Sequence, residues 1–153
     1  MTVAAPTLAL LLLSLSPLGD GASARMPDMK GRVVLMEFWT TTCGPCRTWK
    51  PVFEKLDKKY STRGLSILSI DTGEEPELAK KYLETHATTL KVFSDPSGTA
   101  QRRLGQIAQP AMALFDDKGN LMWTAVGFGP STEADMTCRI ERYLPEETGG
   151  AKP

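Results

Sequence analysis

The chain is poor in histidine and in covalent staples: its 153 residues include one histidine and three cysteines. Three cysteines are too few for a miniprotein held together by disulfides, and an odd count leaves at least one outside any intramolecular pair. Charge of one sign is lacking as well, since 18 basic residues balance 18 acidic ones. Without a net field, neither a nucleic acid nor an anionic membrane is drawn to the chain at long range. A partner has to be recognised on contact. The sequence also has no apolar run of the ~20 residues that cross a bilayer, and no internal repeat, low-complexity stretch or linker. With 41% hydrophobic and 24% charged residues, the composition is that of one compact domain.

The apolar stretch Thr7 to Leu18 (TLALLLLSLSPL) is broken by Pro17 and followed by Gly19, Asp20 and Gly21. Ala22-Ser23-Ala24 then forms a small-x-small pattern before Arg25. This is the layout of a secretory leader cut after Ala24, although no Lys or Arg precedes the apolar core and an uncleaved anchor has the same appearance. No cysteine follows the core, so a lipid anchor lacks its acceptor. Residues 1–24 are therefore expected to be a signal peptide, 25–146 the folded domain, and 147–153, with Gly149 and Gly150, a disordered tail. Export places the domain where a disulfide persists.

Val33 to Trp39 (VVLMEFW) is an apolar run of strand formers interrupted by Glu37, and reads as a buried central strand. From Gly44 to about Ser61, Trp49, Val52, Phe53, Leu56 and Tyr60 recur with the period of one helix face, with Pro51 expected to kink the helix. Leu65 to Ile70 predicts a strand closed by Asp71, Glu74 to His86 a helix, and Leu90 to Phe93 a short strand. After the turn Asp95-Pro96-Ser97-Gly98 come a short helix (Thr99 to Leu104), a strand (Ala111 to Phe115) and a hairpin to Leu121 to Val126. Ser131 or Thr132 is expected to cap a last helix running to about Leu144. Alternation of this kind implies an α/β sandwich with parallel first pairs and an antiparallel edge. Chemistry in such sheets gathers beyond the carboxyl ends of the parallel strands, where Cys43 lies.

Cys43-Gly44-Pro45-Cys46 sits at the start of a helix. Cysteines three apart there have Cα atoms near the ~5.5 Å that a disulfide prefers. Unpaired amides and the helix dipole favour a thiolate at Cys43, the expected attacking sulfur. Cys46, one turn inside and facing the protein, is suited to resolve a mixed disulfide. Gly44 lets a partner backbone come close, and Pro45 stiffens the link without losing a needed N–H. Arg47 and Lys50 add positive charge nearby or face solvent. A static staple, half of a zinc site and coincidence compete with this reading. Closing two intervening residues removes little unfolded-state entropy, and zinc would have to draw on Cys138 and His86, with no second pair at metal spacing.

VVLMEFWTTTCGPCRTWKP resembles the active-site segment of thioredoxin-fold proteins, and the arrangement downstream resembles the secreted, TlpA-like thiol-disulfide oxidoreductases. The resemblance covers nearly all of the chain after the leader. It implies a three-layer sandwich with a central mixed sheet of four to five strands, and a helix-strand insertion matching Glu74 to Phe93. SDPSGTAQRRLG resembles the segment leading to the family's cis-proline loop, and Gln109-Pro110-Ala111 with MALFDDKGN that loop, strand and turn. The implied features are a cis peptide before Pro110 beside the cysteines and a Gln109 backbone free to pair with a substrate strand. An ordinary loop proline is the alternative.

Glu37, six residues before Cys43, occupies the position of the buried acid of thioredoxins. Burial without a cation should raise its pKa and let it exchange a proton with Cys46; a strand-end carboxylate reaching water is the alternative. The lysine of thioredoxins' next strand corresponds here to Ile67, so a charge partner is not expected. Thr42 stands where thioredoxins usually have Trp, and there is little room between Arg25 and Arg32 for an amino-terminal edge strand. Trp39 and Trp49 shape the redox surface or belong to the core. His86 is expected to end a helix, and Cys138, between Met136 and Ile140, to be a buried inert thiol rather than an intermolecular one.

The resemblance implies an exported, periplasmic, monomeric protein-disulfide oxidoreductase working as a reductase, for example in cytochrome c or copper-site maturation. It needs no cofactor beyond the cysteine pair and no metal. Its partners are a cysteine-containing protein substrate and a membrane thiol electron donor, with no nucleic acid. A dithiol oxidase or isomerase is the enzymatic alternative. A copper metallochaperone using Cys43 and Cys46 is the other, though no nearby His or Met completes its site.

Overall fold

A computed structural model describes residues 14–19 and 24–146. In chain order its elements are β1 (Ser14–Pro17), β2 (Ala24–Arg25), β3 (Val33–Trp39), α1 (Gly44–Tyr60), β4 (Leu65–Thr72), α2 (Pro76–Thr85), β5 (Lys91–Asp95), α3 (Thr99–Arg103), β6 (Ala111–Phe115), β7 (Leu121–Val126) and α4 (Pro130–Tyr143). The strands lie in the order β2-β1-β5-β4-β3-β6-β7. β3, β4 and β5 run parallel, while β6 and β7 return antiparallel. This is the thioredoxin-like α/β sandwich, with the insertion α2–β5 following β4.

All seven residues of β3 are buried, as a central strand covered on both faces requires. Pleat parity divides them. Val34, Met36 and Phe38 join Leu68, Ile70, Phe93, Ala113 and Phe115 on the face covered by Ala100 and Leu104 of the α3 segment. Val33 and Leu35 join Leu65, Ile67, Met112 and Leu114 on the other face, under Phe53, Leu56 and Tyr60 of α1 and Met136 and Ile140 of α4. Glu37 and Trp39 share the odd parity, which turns them toward α1. α1 continues through Pro51 without a break.

Among the described residues the sheet has seven strands rather than the four to five expected, and the two additions, β1 and β2, lie at or before Arg25, almost all in the segment read as leader. β1 pairs antiparallel with β5 through Ser16 with Ser94 and Pro17 with Phe93, and Leu15 packs with Phe93 in the core, 3% exposed. The edge strand for which no room was seen after Arg25 is drawn from further upstream. The rest of the expected leader, residues 1–13 and 20–23, and the tail 147–153 lie outside the described residues. No described helix is long and apolar enough to cross a membrane. α4 begins at Pro130 with Gly129 as its N-cap, not at Ser131 or Thr132, because proline's fixed φ suits the first helical position. α2 likewise opens on a proline, Pro76, two residues after the expected Glu74.

Cys138 is exposed, not buried. Met136 and Ile140 are four apart and face the core, and a residue midway between them lies about 200° around the helix from each. In the native disulfide form, one thiol per chain is therefore expected to react with an alkylating reagent without denaturant. Cys138→Ser should abolish that reaction and change stability by less than about 0.5 kcal/mol.

Candidate active site

Cys43 is the N-cap of α1, with extended backbone, and its sulfur accepts the Cys46 N–H at 3.2 Å. The two cysteines form a disulfide with Cα atoms 5.3 Å apart. Cys43 is half-buried and Gly44 and Pro45 are exposed, whereas Cys46 is 3% exposed. A side chain at Gly44 would meet nothing within 4 Å, so the surface beside Cys43 is open. The helix start gives a thiolate at Cys43 the free amides and positive dipole end it needs. An outward sulfur that can be attacked and an inward one that is shielded divide the labour of exchange between them.

Glu37 is 1% exposed, and the expectation that it lacks a cation is overturned. Lys50 forms an ion pair with it and donates to Ser69 Oγ at 2.9 Å, while the Ser69 hydroxyl donates to Glu37. Glu37 and Ser69 are register partners on β3 and β4. The cation comes not from the strand position of Ile67 but from α1, four residues after Cys46. That spacing puts Cys46 and Lys50 on one face of the helix, the face turned toward the odd side chains of β3. The Lys50 ammonium also stands 4.7 Å from the centre of the Trp39 ring.

Trp39 is 2% exposed and packs against Cys46 and Ala79. It is the floor beneath the inner sulfur rather than part of the outer redox surface. Beside it a recess of about 190 Å³ is lined by Cys46, Arg47, Lys50, Tyr82 and His86 among others. The inserted α2 builds one wall: His86, the C-cap of that helix, stacks on Tyr82 at 4.1 Å, and Arg47 Nε donates to the Tyr82 hydroxyl at 3.3 Å.

The peptide between Gln109 and Pro110 is cis. Ala111 pairs with Phe38, which puts Pro110 at the end of β3 from which the cysteine loop departs. The segment before Pro110 is held by side-chain amides: Gln106 Nε2 donates to Met112 O at 2.7 Å, Gln101 Nε2 to Ala108 O at 2.9 Å and Gln109 Nε2 to Gln101 Oε1 at 2.8 Å. Ile107 stands out of this loop 92% exposed. Sequence reasoning passed over Ile107, Gln101 and Gln106, took Gln109 for its backbone alone, and placed Lys50 only as nearby charge. The legible signal for Lys50 was its i+4 spacing from Cys46 together with the parity of Glu37. Among the described residues no cluster of three or more His, Cys, Asp or Glu side chains could hold a metal.

A second acid faces α1 from the same side of the sheet. Asp71, opposite Trp39 in the register, has no exposed surface. Burial above all, then the hydrogen bond and charge of Glu74 and the charge of Asp95, push its carboxyl up to about 8 against the pull of Lys50.

The site is thus a CxxC disulfide at the start of the helix that follows the central strand of a thioredoxin-like sandwich. The family model described as Redoxin matches residues 4–138, and the chain belongs to that family. It is 28% identical over 103 residues to the thiol-disulfide oxidoreductase ResA of Bacillus thuringiensis, covering 67% of this chain and 60% of that one. The chain thus spans about 60% of the length of the first curated relatives it matches. Among solved structures it is similar to a putative thiol:disulfide interchange protein DsbE from Chlorobium tepidum, with TM-score 0.80, 26% identity and coverage of 87% and 93%. It is also similar to the exposed lipoprotein thioredoxin Etrx1 of Streptococcus pneumoniae, with TM-score 0.72, 26% identity and coverage of 83% and 97%.

Two outcomes test the electrostatics. Lys50→Met strands the Glu37 carboxylate and is expected to cost about 3 kcal/mol, whereas Lys50→Met with Glu37→Gln costs far less. Urea unfolding of the single and double variants measures this, and additive costs would refute the pairing. An acid that the fold keeps protonated stabilises fully below its ordinary value of 3.8 and loses that contribution as pH rises through about 8. Wild-type stability should therefore fall relative to Asp71→Asn between about pH 4 and 8, with no further divergence above.

Proposed function

We propose that the protein is an exported thiol-disulfide oxidoreductase that reduces protein disulfides through a Cys43/Cys46 dithiol cycle. The observation that carries this is the asymmetry of the pair: Cys43 is half-open at the helix N-cap, and Cys46 is buried on the helix face that also carries Lys50 and, through it, Glu37. In the dithiol form the Cys43 thiolate attacks one sulfur of a substrate disulfide. That S–S bond breaks, one substrate thiolate leaves and takes up a proton, and a Cys43–substrate disulfide forms. Cys46 then loses its proton toward the Glu37–Lys50–Ser69 group and attacks the Cys43 sulfur. The second substrate thiolate leaves, the Cys43–Cys46 disulfide closes, and two electrons have passed to the substrate. An external thiol donor, in this reading a membrane dithiol, restores the pair.

The substrate is an extended, cysteine-bearing polypeptide. The Gln109 main chain, ahead of the cis peptide, offers it a strand edge, Gly44 and Pro45 leave room for its backbone, and Ile107 gives it an apolar contact. Cysteines of apocytochrome c or of a copper-site assembly factor fit this description. Export rests on the likeness to an exposed lipoprotein; the periplasm is the compartment proposed, and the working form is a monomer.

Direction is a matter of potential, since about 30 mV shifts the two-electron balance by about 1.4 kcal/mol. The purified wild type is expected to reduce insulin disulfides, Cys43→Ser to lose this activity entirely, and Cys46→Ser to accumulate a mixed disulfide visible by mass spectrometry. A reduction potential near about −120 mV, that of a strong oxidant, would overturn the reductase assignment. Turnover by Cys43→Ser would overturn the mechanism.

A further inference from the structure

Thr40, Thr41 and Thr42 connect the end of β3 to Cys43, and a side chain from outside the segment grips them. Glu74, in the turn between β4 and α2, accepts the Thr41 N–H at 2.7 Å and the Thr41 hydroxyl at 2.8 Å. Both of its oxygens are thus spent on a residue two positions before the attacking sulfur, and the Cys43 N–H donates back to Thr40 O at 3.2 Å. Next to Glu74 is Asp71, fully buried, neither of whose oxygens meets an N–H or O–H donor. With Glu74 facing Asp71, the two carboxyl groups cannot both be ionised without repulsion, but one proton between them allows an O–H···O bond. The charged groups facing Asp71 are Glu74, Asp95 and Lys50. They amount to two acids against one ammonium, and that ammonium is already engaged with Glu37. Burial adds to the two acids in favouring the proton.

We propose that Glu74 is a positioning residue for the Cys43 loop, and that a proton on Asp71, donated to Glu74, keeps this clamp closed. When that proton leaves to solvent, two facing carboxylates repel, Glu74 withdraws from Thr41, and the loop in front of Cys43 loosens. The catalytic consequence rests on the reading of Cys43 as the attacking sulfur. The clamp itself does not, and it is best observed in the disulfide form, where neither active-site cysteine titrates.

The experiment follows the Thr41 amide by NMR in the full, oxidised chain between pH 5.5 and 9.5, in a Cys138→Ser background so that no thiol titrates. The Thr41 resonance should move with a midpoint near 8, the range to which Asp71 is raised. That movement should vanish in Asp71→Asn, whose amide donates to Glu74 at every pH. In Glu74→Ala the Thr41 amide should exchange with solvent about tenfold faster or more, which tests the clamp without touching the buried acid. In the reduced protein, the ratio of Cys43 alkylation rates between wild type and Asp71→Asn should change several-fold from pH 7 to pH 9. A Thr41 titration identical in Asp71→Asn, its absence from wild type, or unchanged exchange in Glu74→Ala would each overturn the clamp. An unchanged alkylation ratio would overturn its reach to the sulfur. Loss of insulin reduction in itself bears on the proposed function and not on the clamp.

Discussion

The ion pair between Glu37 and Lys50 is the constraint around which the site is arranged. A carboxylate at the centre of a sheet has given up its hydration, and in a medium of low dielectric that loss must be returned by a cation and by hydrogen bonds. β3 cannot return it, because its neighbours at that depth are apolar or hydroxylic. The compensation therefore descends from α1, with Ser69 completing the set. Once Lys50 has to reach Glu37, the rotation of α1 about its own axis is limited. That rotation in turn directs Cys46 inward over Trp39 and leaves Cys43 at the open end of the helix.

The period of two along β3 and β4 does the sorting. Even residues of β3 build a plain hydrophobic layer under α3, while odd ones, Glu37 and Trp39, share a face with Ser69 and Asp71 of β4. A slip of one residue in either strand would send that strand's acid to the other face, away from α1 and the cysteine loop. The same register that forms the core thus places the polar groups of the site, and stability and chemistry are not independent properties of these strands.

Much of this was readable from residues alone. β3, β6 and β7 have the boundaries their apolar runs predict, because turn residues flank each run and leave little freedom in where the strand begins and ends. The cysteine pair, its helix and the inserted α2–β5 unit were equally plain. What escaped depends on geometry between elements that are distant in sequence. The counter-ion of Glu37 was sought on the adjacent strand, yet a long lysine on a covering helix reaches the same point. Cys138 was judged by its neighbours in sequence, where a helix makes neighbours at two residues face opposite ways. That Leu15, in the apolar stretch ahead of Arg25, meets Phe93 in the core from an edge strand has no signal in that stretch itself. The Glu74 grip on Thr41 joins residues 33 positions apart and has no local signature at all.

The origin of Lys50 sets how the site behaves when it moves. A counter-ion on a neighbouring strand would stay behind if the active-site helix tilted or slid on receiving a substrate. Here the inner sulfur and the ammonium ride on the same helical turn, as parts of one rigid body. Displacing α1 stretches the contact to Glu37 at the same moment that it shifts Cys46, so electrostatic balance and the position of the inner sulfur are mechanically geared to each other.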